Sequence, residues 1–311
     1  MNAEVLIINT EADHIKIRLD SKFPELIIRA ASKEEIAEKS IKTANILLFM
    51  NISDQLLKKA ESLKWIHCMI SGVDHLLSLP SIPSDILITA TRGIHGPQMS
   101  ELAALLMLAL TRNFPEIIHN QDDRLWDRRP GKLLWKKKAG ILGVGRIGKE
   151  IARICKAFGM TVYGITTKKR DIANVDYSFG TEGLHEVLGE VDYFINVLPS
   201  NERTKNIIGK EEFMVMKPSA YFINMGRGDT VDENAMINAL ENHQISGAAL
   251  DVFREEPLPS DHQLWGIKNL ILTPHIGGLS DIYIDQALPI FENNLRLFLE
   301  GKYDEILHRI W

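Results

Sequence analysis

The reading of the fold turns on Gly140–Ile151, GILGVGRIGKEI, taken with Thr161–Asp171, TVYGITTKKRD, which lies about twenty residues further on. Gly143-Val144-Gly145-Arg146-Ile147-Gly148 has the spacing GxGxxG. Glycines punctuate many loops, so the spacing carries information only in context. Here it follows an apolar run, Ala139–Leu142, and opens a helical pattern, Lys149–Phe158. Each glycine then has a physical task. Gly143 permits a tight turn, Gly145 leaves no Cβ between the backbone and a pyrophosphate, and Gly148 lets helix and strand pack closely. The helix N-terminus adds free N–H groups and partial positive charge. The segment predicts a dinucleotide-binding turn.

The next strand, Thr161–Ile165, should end in Asp or Glu if a ribose 2′-hydroxyl is to be gripped. It ends instead in Thr166-Thr167-Lys168-Lys169-Arg170, with Asp171 beyond. Two hydroxyls and three cations suit a 2′-phosphate, because a dianion favours charge-assisted donors and an acid would repel it. The expectation is a preference for NADP(H). The alternative is an exposed basic turn beside a less tightly held NAD.

Outward from this point the chain alternates. Strands are expected at Ala139–Leu142, Thr161–Ile165, Tyr193–Val197, Tyr221–Asn224, Gly247–Leu250 and Leu270–Thr273, with helices at Lys149–Phe158, Leu184–Gly189, Lys210–Val215 and Glu233–Asn242. Six strands joined by crossovers make a doubly wound parallel sheet. Upstream, Val5–Asn9, Leu26–Ala30, Ile46–Met50, Lys64–Met69 and Ile86–Thr89 read as strands, and Ser32–Thr43 and Asp54–Glu61 as helices. Ser32 followed by Glu35 has the form of a capping box. This is a second α/β series with a mostly parallel sheet. Glu101–His119 reads as one long helix, bent or broken at Pro115. Its LAALLMLAL segment is apolar nearly all round and so predicts burial on several sides, a second subunit included. Gln121–Lys138, with Trp126 and Trp135, reads as an extended connection, and Ile284–Glu300 as a closing helix.

A chain of 311 residues is long for one core and comfortable for two domains. Its net charge of −5 gives no reason to expect nucleic acid, and runs such as Lys136–Lys138 read as solvated turns. Two cysteines, Cys68 and Cys155, without a CxxC pattern, argue against a disulfide framework or a cysteine metal site. The first residues, MNAEVLIINTEAD, have no basic region and meet acidic residues at once, so a signal peptide is not expected, and the apolar run near Leu102–Leu110 is too short to span a bilayer. A cytoplasmic protein with no metal and no membrane partner is expected.

Three later stretches carry chemistry: INMGRGDTVDE (Ile223–Glu233), ALDVFREEPLP (Ala249–Pro259) and LTPHIGG (Leu272–Gly278). Each follows an apolar strand, at the end where open α/β sheets place ligands. Arg227, Glu256 and His275 fit one reaction. Hydride transfer between a nicotinamide and a carbonyl needs a proton donor, and histidine titrates near neutrality. A carboxylate beside it favours the imidazolium. An arginine can hold a substrate carboxylate in its fork and polarise the adjacent carbonyl. Singly, each residue has an ordinary reading as a loop or solvated side chain. Together, downstream of the glycine turn, they point to catalysis.

With these motifs in place, the chain resembles the D-isomer-specific 2-hydroxyacid dehydrogenase family over nearly its whole length. LKWIHCMISGVDHL (Leu63–Leu76) and RGIHGPQMSEL (Arg92–Leu102) are similar to the family's substrate-side segments. GVGRIG, NVLPSNERTKNIIG (Asn196–Gly209), NMGRGDTVDE, ALDVFREEP and TPHIGG are similar to its cofactor-side signatures. The resemblance implies a Rossmann-type cofactor domain, about residues 99–280, inserted in a flavodoxin-like substrate domain, about 1–98 plus 281–311, with the active site in a closing cleft. It implies that Arg227 binds the substrate carboxylate and carbonyl, that His275 is the general acid/base, and that Glu256, the acid directly before Pro257, supports it rather than Glu255. Arg146 and Ile147 would sit at the pyrophosphate, Pro199 and Thr204 on the adenosine side, and Asp251 near the carboxamide. Leu198, Met225, Gly226, His275 and Gly277 would complete the cofactor contacts. Met50, Asn51, Ser71, Gly72, Val73 and Arg92, with Trp126 of either subunit, would line the substrate pocket. A homodimer through the cofactor domain is implied, with helix Leu102–Leu110 and the arm Trp126–Trp135 at its interface. TTKKR resembles the glyoxylate/hydroxypyruvate-reductase-like members that prefer NADPH, and no added cationic cluster favours a phosphorylated substrate.

The leading expectation is therefore reduction of a 2-oxo acid by NADPH to the D-2-hydroxy acid. Three rivals stand beside it. One is an NAD-dependent member acting on a larger 2-oxo acid. Another is a corepressor-like protein using the dinucleotide as a binding switch, which could dispense with the catalytic residues. The last is a methyltransferase, which would leave the Arg, Glu and His set unexplained.

Overall fold

The computed structural model describes residues 3–310. The chain divides into two compact units: Met1–Ile94 with Ser280–Trp311, and His95–Leu279. In chain order the first unit holds β1 (Glu4–Ile8), α1 (Ala12–Lys22), β2 (Ile27–Ala31), α2 (Glu34–Ala37), β3 (Ile46–Phe49), α3 (Asp54–Leu57), β4 (Trp65–Cys68), α4 (Asp74–Ser78) and β5 (Leu87–Ala90). The second holds α5 (Gly96–Arg112), α6 (Phe114–Asp122), β6 (Lys138–Leu142), α7 (Arg146–Ala157), β7 (Thr161–Ile165), β8 (Tyr177–Phe179), α8 (Leu184–Glu190), β9 (Tyr193–Asn196), α9 (Lys210–Val215), β10 (Tyr221–Asn224), α10 (Glu233–Glu241), β11 (Gly247–Leu250) and β12 (Leu270–Leu272). The chain then returns to the first unit in α11 (Tyr283–Leu299).

Both sheets are parallel, ordered β2-β1-β3-β4-β5 and β12-β11-β10-β9-β6-β7-β8. Parallel sheets need both faces covered, and β1, β3, β4 and β9 are buried along their whole length. Alternate residues feed opposite layers. Val5 and Ile7 join Trp65 and Phe291 of α11 on one side, while Leu6 and Ile8 join Ile41 and Ile66 on the other.

Several elements differ from the sequence reading for identifiable reasons. The helix α1 was not expected, because ADHIKIRLDSK is largely polar. It buries Ala12, Ile15 and Leu19 and is fastened to α11, where Arg18 Nε and Lys22 Nζ donate to the Glu292 carboxylate at 2.7 and 2.6 Å. The capping box at Ser32 does not form. The short α2 has Lys33 as N-cap without a side-chain bond, and the Glu34 carboxylate instead accepts from Ser53, whose hydroxyl caps α3. The long helix breaks at Asn113, which is left-handed at φ 51°, and not at Pro115. Pro115 lies in the first turn of α6, where its missing N–H costs nothing. The helix after the glycine turn begins at Arg146 and not Lys149, and β8, a three-residue edge strand, makes the second sheet seven-stranded. No helix among the described residues is long and apolar enough to cross a membrane.

One buried polar network in the first unit has a pH consequence. His67 is fully buried. Trp65 Nε1–H donates to Thr89 Oγ1 at 2.9 Å, and the Thr89 hydroxyl is hydrogen-bonded to His67 Nδ1 at 2.7 Å. The other ring nitrogen, Nε2, faces Thr91 Oγ1 at 3.2 Å. Burial, aided by the charge of His308, lowers the His67 pKa from 6.5 to about 3. The unfolded chain thus binds the proton more readily than the folded one between those values, and stability falls as pH drops below 6.5. At pH 5 the loss should be about 2 kcal/mol relative to pH 8. Denaturant titrations of wild type and His67→Gln at both pH values check this. Equal pH slopes in the two proteins would refute it.

Candidate functional site

The glycine turn joins β6 to α7 at the point where the strand order of the second sheet reverses, between β6 and β9. Gly143 adopts φ 99°, and a Cβ there would press on Leu198 Cδ2 at 3.0 Å and on the Val197 backbone at 3.3 Å. A Cβ on Gly148 would lie 2.6 Å from the Gly143 carbonyl oxygen, so helix and turn are in backbone contact. At Gly145 a Cβ would meet nothing within 4 Å. The space over the helix N-terminus is open, as a pyrophosphate requires. Arg146 is exposed there, and Ile147 is half-buried in the adjacent core layer.

At the end of β7 the Thr166 hydroxyl donates to the Lys168 carbonyl at 2.7 Å and closes the basic turn. Arg170 Nη2 donates to the Val144 carbonyl at 3.2 Å, tying this turn to the glycine loop. Thr167, Lys168, Lys169, Arg170 and Asp171 are exposed. Among the described residues, no ion pair holds the three cations. Across the switch point, the Thr204 hydroxyl donates to Pro199 O at 2.7 Å and accepts from Asn201 N at 2.9 Å. It closes the 199–204 loop from within.

Arg227 follows β10 in an extended conformation, with Nη1 donating to the Gly226 carbonyl at 2.7 Å. A ladder of buried amides wires its loop. Asn196 Nδ2 donates to Asn224 Oδ1 at 3.0 Å and to Thr230 Oγ1 at 2.7 Å, and Asn224 Nδ2 and Thr230 Oγ1 both donate to the Arg227 carbonyl. Met225 is buried, and a Cβ on Gly226 would lie 2.5 Å from Leu198 O. A Cβ on Gly228 would overlap the backbone of Phe253 and Arg254, so the Arg227 loop sits directly on the turn that carries Glu256.

In that turn Glu256 Oε1 accepts from Phe253 N at 2.8 Å, while Oε2 accepts from His275 Nδ1 at 2.6 Å. Glu255 is exposed. His275 has φ 52°, a left-handed conformation unusual for a residue with a side chain. Asp251 holds it there. Its carboxylate, 1% exposed, accepts from Thr273 Oγ1 at 2.6 Å, Ile276 N at 3.0 Å and Gly277 N at 2.9 Å. Asp251 was expected near a nicotinamide carboxamide; its observed bonds go to the loop of His275.

The electrostatics favour a charged pair. The hydrogen bond His275 donates to Glu256, opposed by partial burial, raises the His275 pKa, and the charges of Glu256 and Asp251 outweigh that of Arg227. Burial would raise the Glu256 carboxyl, but the bonds from His275 and Phe253 N and the nearby positive charges hold it below its ordinary value. With Nδ1–H committed to Glu256, Nε2 is the nitrogen left to exchange a proton.

The sequence reading missed several residues of this neighbourhood. His95, the N-cap of α5, is 7% exposed, and its pKa is lowered by burial and by the charge of Arg227. Gln98 Nε2 donates to Gly278 O at 3.4 Å. The amide ladder had a visible signal: β9 and β10 both read YFIN, each ending in a buried asparagine. In the first unit Met50 and Asn51 follow β3, Ser71, Gly72 and Val73 lie between β4 and α4, and Arg92 follows β5, all at the carboxyl ends of that sheet. Trp126, 92% exposed, lies beyond α6. No group of His, Cys, Asp and Glu among the described residues is arranged to hold a metal.

Residues 104–277, more than half of the chain, match the family model of the D-isomer specific 2-hydroxyacid dehydrogenase, NAD binding domain. The chain belongs to the D-isomer-specific 2-hydroxyacid dehydrogenase family. Among curated members, a glyoxylate reductase of Aeropyrum pernix is 35% identical over 269 residues, 82% of this chain and 79% of the relative. A D-3-phosphoglycerate dehydrogenase of Methanocaldococcus jannaschii is 33% identical over 283 residues, 88% of this chain but 53% of the relative, so the chain spans about half the length of that protein. A crystal structure of a D-isomer specific 2-hydroxyacid dehydrogenase family protein from Aeromonas salmonicida, 34% identical, superposes with a TM-score of 0.93 over 100% of this chain and 99% of the other.

In this member of the family, Gly228→Ala should drive the Arg227 loop off the 253–256 turn. The expected cost is about 1–3 kcal/mol of stability, with the His275 pKa falling back toward that of a free imidazole. Thermal unfolding and NMR titration of the His275 ring check both. An unchanged titration would show that the turn is not seated on Gly228.

Proposed function

We propose that the chain is a 2-oxo acid reductase that prefers NADPH and yields the D-2-hydroxy acid. The observation that carries this reading is the His275–Glu256 hydrogen bond of 2.6 Å, formed within the influence of the Arg227 charge and in the same unit as the glycine turn. The open space at Gly145, the backbone contacts of Gly143 and Gly148 and the exposed cations of the 166–170 turn fit a dinucleotide carrying a 2′-phosphate. Such a cofactor supplies the hydride. The protein supplies position and a proton.

In this mechanism Arg227 binds the substrate carboxylate through its fork and polarises the neighbouring 2-oxo group. His275 enters as the imidazolium and donates the Nε2 proton to the oxygen that becomes the hydroxyl. Glu256 stabilises the charge before donation and fixes the ring through Nδ1. Asp251 keeps the His275 backbone in its left-handed turn. In the first unit, Met50, Ser71–Val73 and Arg92 are assigned to the substrate, and that unit is the substrate domain of this proposal. The absence of a phosphate-binding cluster among these residues favours an unphosphorylated acid. The exposed apolar side chains of α5 and α6, Leu105, Phe114, Ile117 and Ile118, with Trp126 and Trp135, support a homodimer, and a cytoplasmic location goes with this reading.

Parallel assays with NADPH and NADH over glyoxylate, hydroxypyruvate, pyruvate, phenylpyruvate and branched 2-oxo acids test the proposal. Turnover with NADPH on at least one acid is expected. Turnover with NADH alone would remove the 2′-phosphate assignment, and tight dinucleotide binding without turnover would favour a binding switch. His275→Ala should lower kcat by about 10²–10⁴-fold with NADPH binding intact. Reduction requires the protonated ring, so kcat/KM should fall as pH rises through the raised His275 pKa. In Glu256→Gln that alkaline limb should move to lower pH. Replacing Lys168 and Arg170 by Ser should raise the NADPH KM by about 10-fold or more and change that of NADH about twofold or less. Equal effects on both cofactors would refute the assignment.

A further inference from the structure

Arg254 precedes Glu255 and Glu256 in the turn after β11, and neither the motifs nor the proposed mechanism gives it a task. Its guanidinium reaches across two other segments. Nε and Nη2 donate to the Val231 carbonyl at 3.1 and 2.7 Å, and Nη2 also donates to the Asn206 side-chain oxygen. Those two acceptors are already laced together. Asn206 N donates to Asp229 O at 2.8 Å, Ile208 N to Thr230 O at 3.1 Å and Asp232 N to Ile208 O at 2.8 Å. Asn206 itself sits at φ 51°, closing the loop that begins at Pro199.

We infer that Arg254 is a positioning residue, a three-donor staple that holds the Glu256 turn against both the Arg227 loop and the 199–208 loop. The inference rests on the catalytic reading of His275 and Glu256 given above. Its logic is geometric. Glu256 is oriented by its own turn, since Oε1 accepts from Phe253 N. That turn touches the Arg227 loop through backbone at Gly228, and Arg254 adds the side-chain fastening beside it. A planar fork can serve two acceptors on different segments, whereas a lysine offers a single compact donor group. Arg254 is exposed, so its bonds are solvent-screened and contribute little to global stability. Their effect falls on the placement of the turn. Three charged or titratable groups surround the ring that this turn orients: Glu256, Arg227 and Asp251.

The test uses the full chain with Arg254→Ala and Arg254→Lys, read by NMR titration of the His275 ring, the pH profile of kcat/KM, the NADPH KM and thermal unfolding. In Arg254→Ala the His275 titration and the alkaline limb should both move to lower pH by about half a unit. Alongside this, kcat/KM should fall about five- to tenfold, the NADPH KM should rise, and Tm should change by no more than about 2 °C. Arg254→Lys should recover less than half of the loss. A wild-type His275 titration in Arg254→Ala would overturn the inference, whether kcat/KM is unchanged or falls in step with Tm. If the wild-type enzyme turns over no 2-oxo acid, the functional proposal fails separately, while the His275 titration still reports on Arg254.

Discussion

The second unit depends on one row of paired residues. Leu142, Asn196, Asn224, Leu250 and Leu272 are register partners across β6, β9, β10, β11 and β12. Because all five strands are parallel, every following segment leaves the sheet at the same edge: the glycine turn, the 197–204 loop, the Arg227 loop, the Glu256 turn and the His275 loop. Neighbouring strands lie about 4.8 Å apart, so residues far apart in sequence are delivered side by side. The register is held firmly because β9 is buried on both faces. A slip of one residue would exchange its layers and pull Asn196 out of the amide ladder.

That dependence explains what was legible in the sequence. Apolar runs bounded by glycine and asparagine mark buried parallel strands, and chemistry sits just beyond them, so GVGRIG, NMGRGD, DVFREEP and TPHIGG could be placed before any coordinates. Elements set by long-range contacts were not legible. The polar α1 is held by Arg18 and Lys22 on Glu292, a partner at the other end of the chain. The break between α5 and α6 lies at a left-handed Asn113, although proline gives the louder local signal. Ser32 and Glu35 had the right spacing for a capping box, but α2 starts one residue later with Lys33 as its N-cap, and its first residue, Glu34, bonds Ser53 across the fold. Asn196 and Asn224 repeat at the ends of two YFIN strands, and their meaning becomes visible only when the strands are paired.

The charges at this edge show a conflict and its resolution. Arg227 is suited to a substrate carboxylate, but its positive charge opposes protonation of His275 and adds to burial, the larger cause, in lowering the His95 pKa. His95 is accordingly disfavoured as a proton donor. Glu256 reverses the balance at His275 by direct hydrogen bonding, and the charge of Asp251 acts in the same sense. The arginine thus pushes both histidines the same way, and they differ because burial dominates at His95 while the Glu256 carboxylate bonds the His275 ring.

Asp251 also shows why a buried charge is tolerated in this loop. A carboxylate at 1% exposure is costly unless its oxygens are satisfied, and three donors from one short segment satisfy it. Those donors, on Thr273, Ile276 and Gly277, flank His275 on both sides. The backbone between them has little freedom, and the histidine is held in a left-handed turn that an unconstrained chain would avoid at a cost of about 1–3 kcal/mol. At Gly277 a Cβ would lie 2.7 Å from Asp251 Oδ2, 2.9 Å from Met99 Sδ and 3.0 Å from Leu102, so the loop is also pressed on the first turns of α5. The buried carboxylate and the tight helix contact act together. One fixes the hydrogen bonds of the loop, the other its distance from the helix, and the imidazole meets Glu256 from a backbone held on both sides.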